Sequence, residues 1–385
     1  MVARAYGTSS DAYRITAENL AAARAAAESE PVPGEPTAPI EVSAHGAAGA
    51  AREPHVLGLV LARQLWVERV RPMLAERYPD HVGRIAAGLV GHGSEAYGFD
   101  DAVSVDHDFG ASLCLWLTQE DEQEIGEALR RDYDALLAID GAARPAISAG
   151  GQRRHGVFSV AEFFTSLTGM AQAPAAGEPH LWLSLDEPTL AAATNGEVFA
   201  DPVGAFGAAR GSFLRMPEDV RLAHLSRRLG MMAQAGQYNV PRMLGRGDGE
   251  AAFLSIGEFV RASASAVFLL NRPTVVGYLP YYKWQFAALR RLAERPLSRL
   301  PGVHGDLTGV MRVASAACGG GEGFGEGGKG ADPARIALMD RIEAVCAAVA
   351  AEVRGQRLSD EPSGFLEHHR AAIAARITDP WLRQQ

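Results

Sequence analysis

The sequence predicts an α+β protein in which a small mixed sheet with packed helices precedes an all-α helical domain. Three observations carry this. Strand-like apolar runs alternate with helical periods over residues 80–205. Past Pro217 nearly every segment keeps a helical period, and Gly and Pro stand where elements must stop.

Taken in order, residues 1–53 read as a poorly ordered N-terminal extension. A short helix over Thr16–Glu30 is followed by a tract rich in Pro, Ala and Gly, with little apolar surface to dock it. The mixed-sheet domain is expected over residues 54–210. A helix is expected over Pro54–Tyr78, where apolar residues from Val56 to Leu74 recur at helical spacing, and Pro72 predicts a kink or break there, because it has no N–H to donate. Ile85–Val90 reads as a buried strand stopped by glycines, and Ala111–Leu117 as a second apolar run. Thr118 is placed to cap a helix reaching about Leu137, and Glu120, Asp121 and Glu122 suit the positive end of its dipole. Gly150–Arg154 is a polar break; His155–Val160 then reads as a short strand and Ala161–Leu167 as a helix start. Leu181–Leu185 and Glu197–Phe199 are further elements, separated by a turn at Asn195–Gly196.

The helical domain, residues 211–385, should hold helices over Glu218–Ala235, Ala251–Leu270, Tyr281–Leu292, Arg335–Val353 and Phe365–Ile377. Residues 301–334 read as a Gly-rich linker or loop, because the run Gly319–Gly328 is costly to order. That run has no preceding strand and no G-K-S/T ending, which sets aside a phosphate loop there.

The bulk properties narrow the function classes. A chain of 385 residues supports about two domains, and 47% apolar against 22% charged is ordinary globular composition. Acidic residues number 46 and basic residues 37, for a net charge of −9, which counts against nucleic acid as a partner. No uninterrupted apolar run is long enough to cross a bilayer, so no membrane role is expected. Cys114, Cys318 and Cys346 lack metal-ligand spacing and suit burial in a reducing cytoplasm.

One stretch carries the chemistry. Gly91 and Gly93 allow a tight turn at the end of the first strand, and Ser94 offers a hydroxyl and an N–H to an anion. Asp106-His107-Asp108 follows twelve residues after Ser94. If Val105–Phe109 is extended, Asp106 and Asp108 point to one face, with Cα atoms roughly 7 Å apart. Two carboxylates there suit Mg²⁺, bridging triphosphate oxygens and offsetting charge developing at the α-phosphate. Ser94 and the N–H groups around Gly93 would grip the β- and γ-phosphates. The plainer readings are an ordinary turn and an exposed D-x-D strand. Asp100 and Asp101 read as turn residues or as groups that orient the metal ligands.

The blocks Gly93–Asp101, Ser104–Asp108, Asn195–Phe199, Gly236–Asn239 and Pro280–Trp284 together resemble the bacterial DUF4037 family of nucleotidyltransferase-like proteins. More broadly, the glycine–serine turn followed by Asp-x-Asp resembles the superfamily of DNA polymerase β and the antibiotic nucleotidyltransferases. The resemblance implies a nucleotidyltransferase domain with a helical domain after it, Mg²⁺ held by Asp106 and Asp108, and a nucleoside triphosphate as substrate, ATP foremost. It implies transfer of a nucleoside monophosphate, AMP foremost, to a hydroxyl-type acceptor such as a small molecule. Members set the nucleotide between the sheet and the helical domain, which would assign Tyr238, Asn239 and Lys283 to nucleotide binding beside Gly93 and Ser94. Alternatively Lys283 is simply solvated and Tyr281, Tyr282 and Trp284 pack helices together. The superfamily also supplies a third carboxylate from a neighbouring strand, yet Arg154–Val160 contains no acid, and Glu162 and Asp186 sit off the pattern. A one-metal enzyme, a base from elsewhere such as His107 or His155, and a catalytically silent nucleotide-binding or regulatory module therefore stay open.

Overall fold

Short apolar runs bounded by glycine become the strands of one sheet: β1 (Ala86–Leu89), β2 (Cys114–Leu117), β3 (Gly156–Ser159) and β4 (Glu197–Ala200). The computed structural model describes residues 57–101, 112–139, 153–319 and 331–384. These fall into two compact units divided between Met216 and Pro217. The division follows the uninterrupted helix Ala205–Leu214 instead of falling inside it at residue 210.

In the first unit the sheet order is β3-β2-β1-β4. β1 pairs antiparallel with β2 and β4, and β2 pairs parallel with β3, so the sheet is mixed as expected. A parallel pair needs a long crossover, and helix Gln119–Ile139 forms part of the one between β2 and β3. Thr118 caps that helix: its Oγ accepts the Asp121 N–H at 3.2 Å and its hydroxyl donates to the Asp121 carboxylate at 2.8 Å. Side chains alternate across the sheet. Ala87, Leu89, Leu115, Leu117 and Val157 pack with Ala62, Leu65, Leu74 and Leu129 in one core. On the opposite face Trp116 stacks on Phe206 at 3.6 Å and meets Phe163 edge-on at 5.3 Å.

The helix expected over Pro54–Tyr78 is continuous from Gly58 to Arg77 but widens into a π-helical turn at Trp66–Val70. Pro72, near the start of the next segment, cannot donate an N–H back along the helix, and the wider turn absorbs that loss. The element expected over Leu181–Leu185 is helical, Pro179–Ser184, with Pro179 in its first turn.

Every regular element among the described residues of the second unit is helical. Helix Glu218–Met232 runs through a π-helical turn, Ala233–Asn239, into Val240–Gly245. Gly249–Asn271 is the longest apolar helix of the unit. It is long and apolar enough to cross a membrane, yet 67% of its most apolar window is buried, which is how a core helix looks. Pro273–Val276, Gln285–Ala293, Val303–Gly319, Ala331–Gly355 and Leu366–Ala374 complete it. The loop expected over 301–334 is corrected here: Val303–Gly319 is a helix. Val303, Leu307, Val310, Ala314 and Cys318 recur on one buried face, and that burial outweighs the cost of Gly305 and Gly309. The run from Gly320 to Gly330 and the N-terminal extension of residues 1–53 lie outside the described residues.

Candidate functional site

β1 is buried along its whole length and ends at Leu89, and after Val90 the chain turns through Gly91-His92-Gly93 into the single helical turn Ser94–Tyr97. Gly91 and Gly93 have φ of 126° and 121°, a backbone region that side chains with a Cβ rarely enter. The turn anticipated from the glycine spacing is therefore present.

What holds it was not anticipated. The Asn195 side chain clasps Gly91 from both sides: its carbonyl oxygen accepts the Gly91 N–H at 2.9 Å, and its amide donates to the Gly91 carbonyl at 2.7 Å. Asn195 lies at the mouth of β4, where Arg210 donates to the carbonyl oxygens of Thr194 (2.7 Å), Asn195 (2.9 Å) and Gly196 (3.3 Å). Burial pushes the Arg210 guanidinium below its usual range, although it stays a cation. Gly196 itself (φ 69°) passes against Leu89, and a Cβ there would run into the Leu89 carbonyl oxygen. The sequence signal was the Asn195-Gly196 pair, which reads locally as a turn and says nothing of a partner 104 residues away.

Beside the turn lies a pocket of about 80 Å³ lined by Val90, Gly91, His92, Arg153, Arg154, Phe163, Ser166 and Leu167. Arg153 and Arg154 stand just before β3, and Ser166 and Leu167 come from helix Val160–Thr168. Arg153 has Asp134 at 3.9 Å. Partial desolvation, with the Arg154 charge second, holds the His92 imidazole below its ordinary range, so the ring is neutral at pH 7. Glu95 turns back on the glycine turn, and Ser94 Oγ donates to its carboxylate at 3.5 Å. Burial raises the Glu95 pKa, opposed by the Arg154 charge.

Asp100, Glu162 and Asp186 each sit at or contact a helix start and have a partner of their own. Asp100 is buried, and its carboxylate accepts the Gly58 N–H at 2.7 Å, fixing the first helix to the segment after the turn. Ser159 caps helix Val160–Thr168 by accepting the Glu162 N–H at 3.0 Å, while Glu162 ion-pairs with Arg130 at 3.5 Å. Asp186 caps Glu187–Thr194 by accepting the Thr189 N–H at 2.8 Å. His155, just before β3, is buried (4% exposed).

Asp106, His107 and Asp108 lie outside the described residues. Among the described residues, no group of three His, Cys, Asp or Glu side chains could hold a metal ion. The Mg²⁺ expectation thus rests on Asp106 and Asp108 alone.

In the helical unit, the Tyr238 hydroxyl accepts from Arg242, whose guanidinium also lies 4.7 Å over the Tyr238 ring. Asn239 is half-buried at the end of the π-helical turn. Gln237 is a structural pin: its amide donates to Glu343 at 2.9 Å and to the Gly364 carbonyl at 3.2 Å, and its oxygen accepts the Leu366 N–H at 3.0 Å. Asp248 caps Gly249–Asn271 through the Ala251 N–H at 3.0 Å. Lys283 is exposed, its ammonium 4.8 Å over the Trp284 ring.

Residues 182–285 match the family model described as "Domain of unknown function (DUF4037)". The match takes in the Asn195–Phe199, Gly236–Asn239 and Pro280–Trp284 blocks and stops short of the glycine–serine turn. No curated protein and no solved structure matches the chain.

Proposed function

We propose that this chain is a Mg²⁺-dependent nucleotidyltransferase that moves a nucleoside monophosphate, AMP foremost, from its triphosphate to a hydroxyl of a small-molecule acceptor. The observation that carries the reading is the rigidly clasped Gly91–Ser94 turn at the buried end of β1, opening on a pocket walled by Arg153 and Arg154. A fixed turn with cationic walls suits a polyanionic tail, because its donors need no reorganisation when charge shifts during transfer. In the reaction the acceptor hydroxyl loses its proton to a base or to water as its oxygen forms a bond to the α-phosphorus. The bond from that phosphorus to its bridging oxygen breaks, and pyrophosphate leaves with the electron pair. Mg²⁺ on Asp106 and Asp108 would supply charge neutralisation along the tail. Ser94 orients the phosphates, and Lys283, Tyr238 and Asn239 enter as nucleotide-binding residues through the family resemblance.

A second reading is a catalytically silent nucleotide-binding module. It draws on Glu162 and Asp186, the acids nearest the expected third position, both sitting at helix starts. Incubation with α-labelled ATP, CTP, GTP or UTP, Mg²⁺ and a metabolite extract separates the two. The enzyme yields labelled product and pyrophosphate, abolished in Asp106→Asn. Equal pyrophosphate from the wild type and this variant would end the enzymatic reading, and saturable ATP binding without product would establish the silent one. The three buried thiols fit the reducing cytoplasm in which we expect it to act.

A further inference from the structure

We propose that the pocket beside the turn is an oxyanion seat that takes one phosphate group between Arg153, Arg154, His92 and Ser166. This deepens the reading above by naming where the end of a phosphate chain is held, and it rests on that reading for the identity of the ligand.

Size comes first. At about 80 Å³ the pocket has room for several water-sized groups, enough for the oxygens of one tetrahedral anion. Whole drug-sized ligands occupy sites of roughly 300 Å³ and above, so a nucleoside does not fit inside. Charge comes second. Among the described residues two guanidinium groups line the pocket and no acidic side chain does, with the Asp134 carboxylate 3.9 Å from Arg153. Half-buried Arg154 lines the pocket beside His92, and its charge lowers the pKa of His92 and opposes the rise at Glu95. The third argument is the wall. Val90, Phe163 and Leu167 give one side of the pocket an apolar lining, and a low local dielectric strengthens any charge pair formed there.

The backbone of the turn decides which groups do the binding. Both polar groups of Gly91 are already spent on Asn195, so recognition falls to side chains. Guanidinium forks match phosphate oxygens in pairs, a geometry that lysine ammonium groups do not reproduce. The shared chemistry is a phosphate dianion, whether free or at the end of a nucleotide tail.

Calorimetric titration of the full chain with orthophosphate, tripolyphosphate, ATP and adenosine tests this. Orthophosphate and tripolyphosphate are expected to bind saturably and to compete with ATP, whereas adenosine does not compete with either. Arg153→Gln should weaken tripolyphosphate binding about ten- to a hundredfold, the worth of one charge-assisted hydrogen bond. Arg153→Lys should recover only part of that. Leu167→Glu, which adds a carboxylate to the wall and removes no existing polar contact, should abolish binding while the thermal unfolding curve stays cooperative. The seat is overturned if the wild type binds neither inorganic ligand, or if Arg153→Gln and Leu167→Glu bind them as the wild type does. Wild-type KM for ATP in both variants would likewise remove the seat and leave the transferase reading standing. Tripolyphosphate binding that needs the pocket, with no binding or turnover of ATP, would keep the seat and remove the transferase.

Discussion

Asn195→Ala tests the clasp on which the turn depends. The wild-type side chain makes hydrogen bonds of 2.9 and 2.7 Å to the two polar groups of Gly91, a buried residue. Removing it strands an N–H and a C=O together. Each such buried group costs about 1–3 kcal/mol when unpaired. Asn195 is half-buried, so water recovers part of the loss, and the net cost should be about 2–3 kcal/mol. That is a large share of a typical domain stability of about 5–15 kcal/mol. Urea unfolding followed by the fluorescence of Trp66, Trp116 and Trp182, all in this unit, should show the midpoint falling by about 1 M. Amide exchange at Gly91 should speed up at the same time, while β2 and β3 stay protected. Asn195→Asp sharpens the test. It keeps the acceptor for the Gly91 N–H but turns a carboxylate oxygen towards the Gly91 carbonyl. Its protonated form can donate to that carbonyl, so its folded pKa lies above the unfolded one. Stability should therefore improve as pH falls through the raised pKa. A wild-type midpoint for Asn195→Ala, or an Asn195→Asp variant as stable as wild type at pH 8, would refute the clasp.

Three further outcomes are expected. Gly196→Ala must hold φ near 69° with its new Cβ against the Leu89 carbonyl and 3.0 Å from the Val90 Cα. Strain of about 1–3 kcal/mol plus that backbone clash should leave little folded protein, as measured by soluble yield and unfolding midpoint. Tyr133→Phe deletes a fully buried hydroxyl that accepts the Leu113 N–H at 3.0 Å and donates to the Leu113 carbonyl at 2.9 Å, and it should cost about 2–4 kcal/mol by denaturant titration. His224 is buried, and that burial, with Arg228 and Arg227 adding, pushes its imidazole from 6.5 down to about 4. The unfolded chain therefore takes the proton first. Stability is full above pH 6.5 and declines as pH falls towards 4, by up to about 3 kcal/mol. His224→Phe should flatten that part of the stability–pH curve, and an unchanged slope would show that the proton binds elsewhere.

Much of the fold was readable in order along the chain because the signals were local. The glycines after Val90 reported a φ requirement, Thr118 with Asp121 reported a helix start, and the apolar period past Pro217 reported buried helix faces. Local reading failed where two local tendencies competed. Glycine in Val303–Gly319 argued for a loop, but a buried face built from Val303, Leu307 and Val310 prevailed. Pro72 argued for a kink, but the helix kept its course by opening one wider turn upstream.

By itself the sequence determined most of the strands and helices and where the backbone must turn after β1, since both depend on residues within a few positions of one another. Only the tertiary structure decided what supports that turn and what surrounds it. Asn195 reaches Gly91 across 104 residues, and Arg153 and Arg154 join His92 and Ser166 only once β3 has paired with β2. Local spacing fixes the direction of a side chain along its own element. Its partner is fixed by how the elements pack, and that choice depends on the burial of the whole sheet at once.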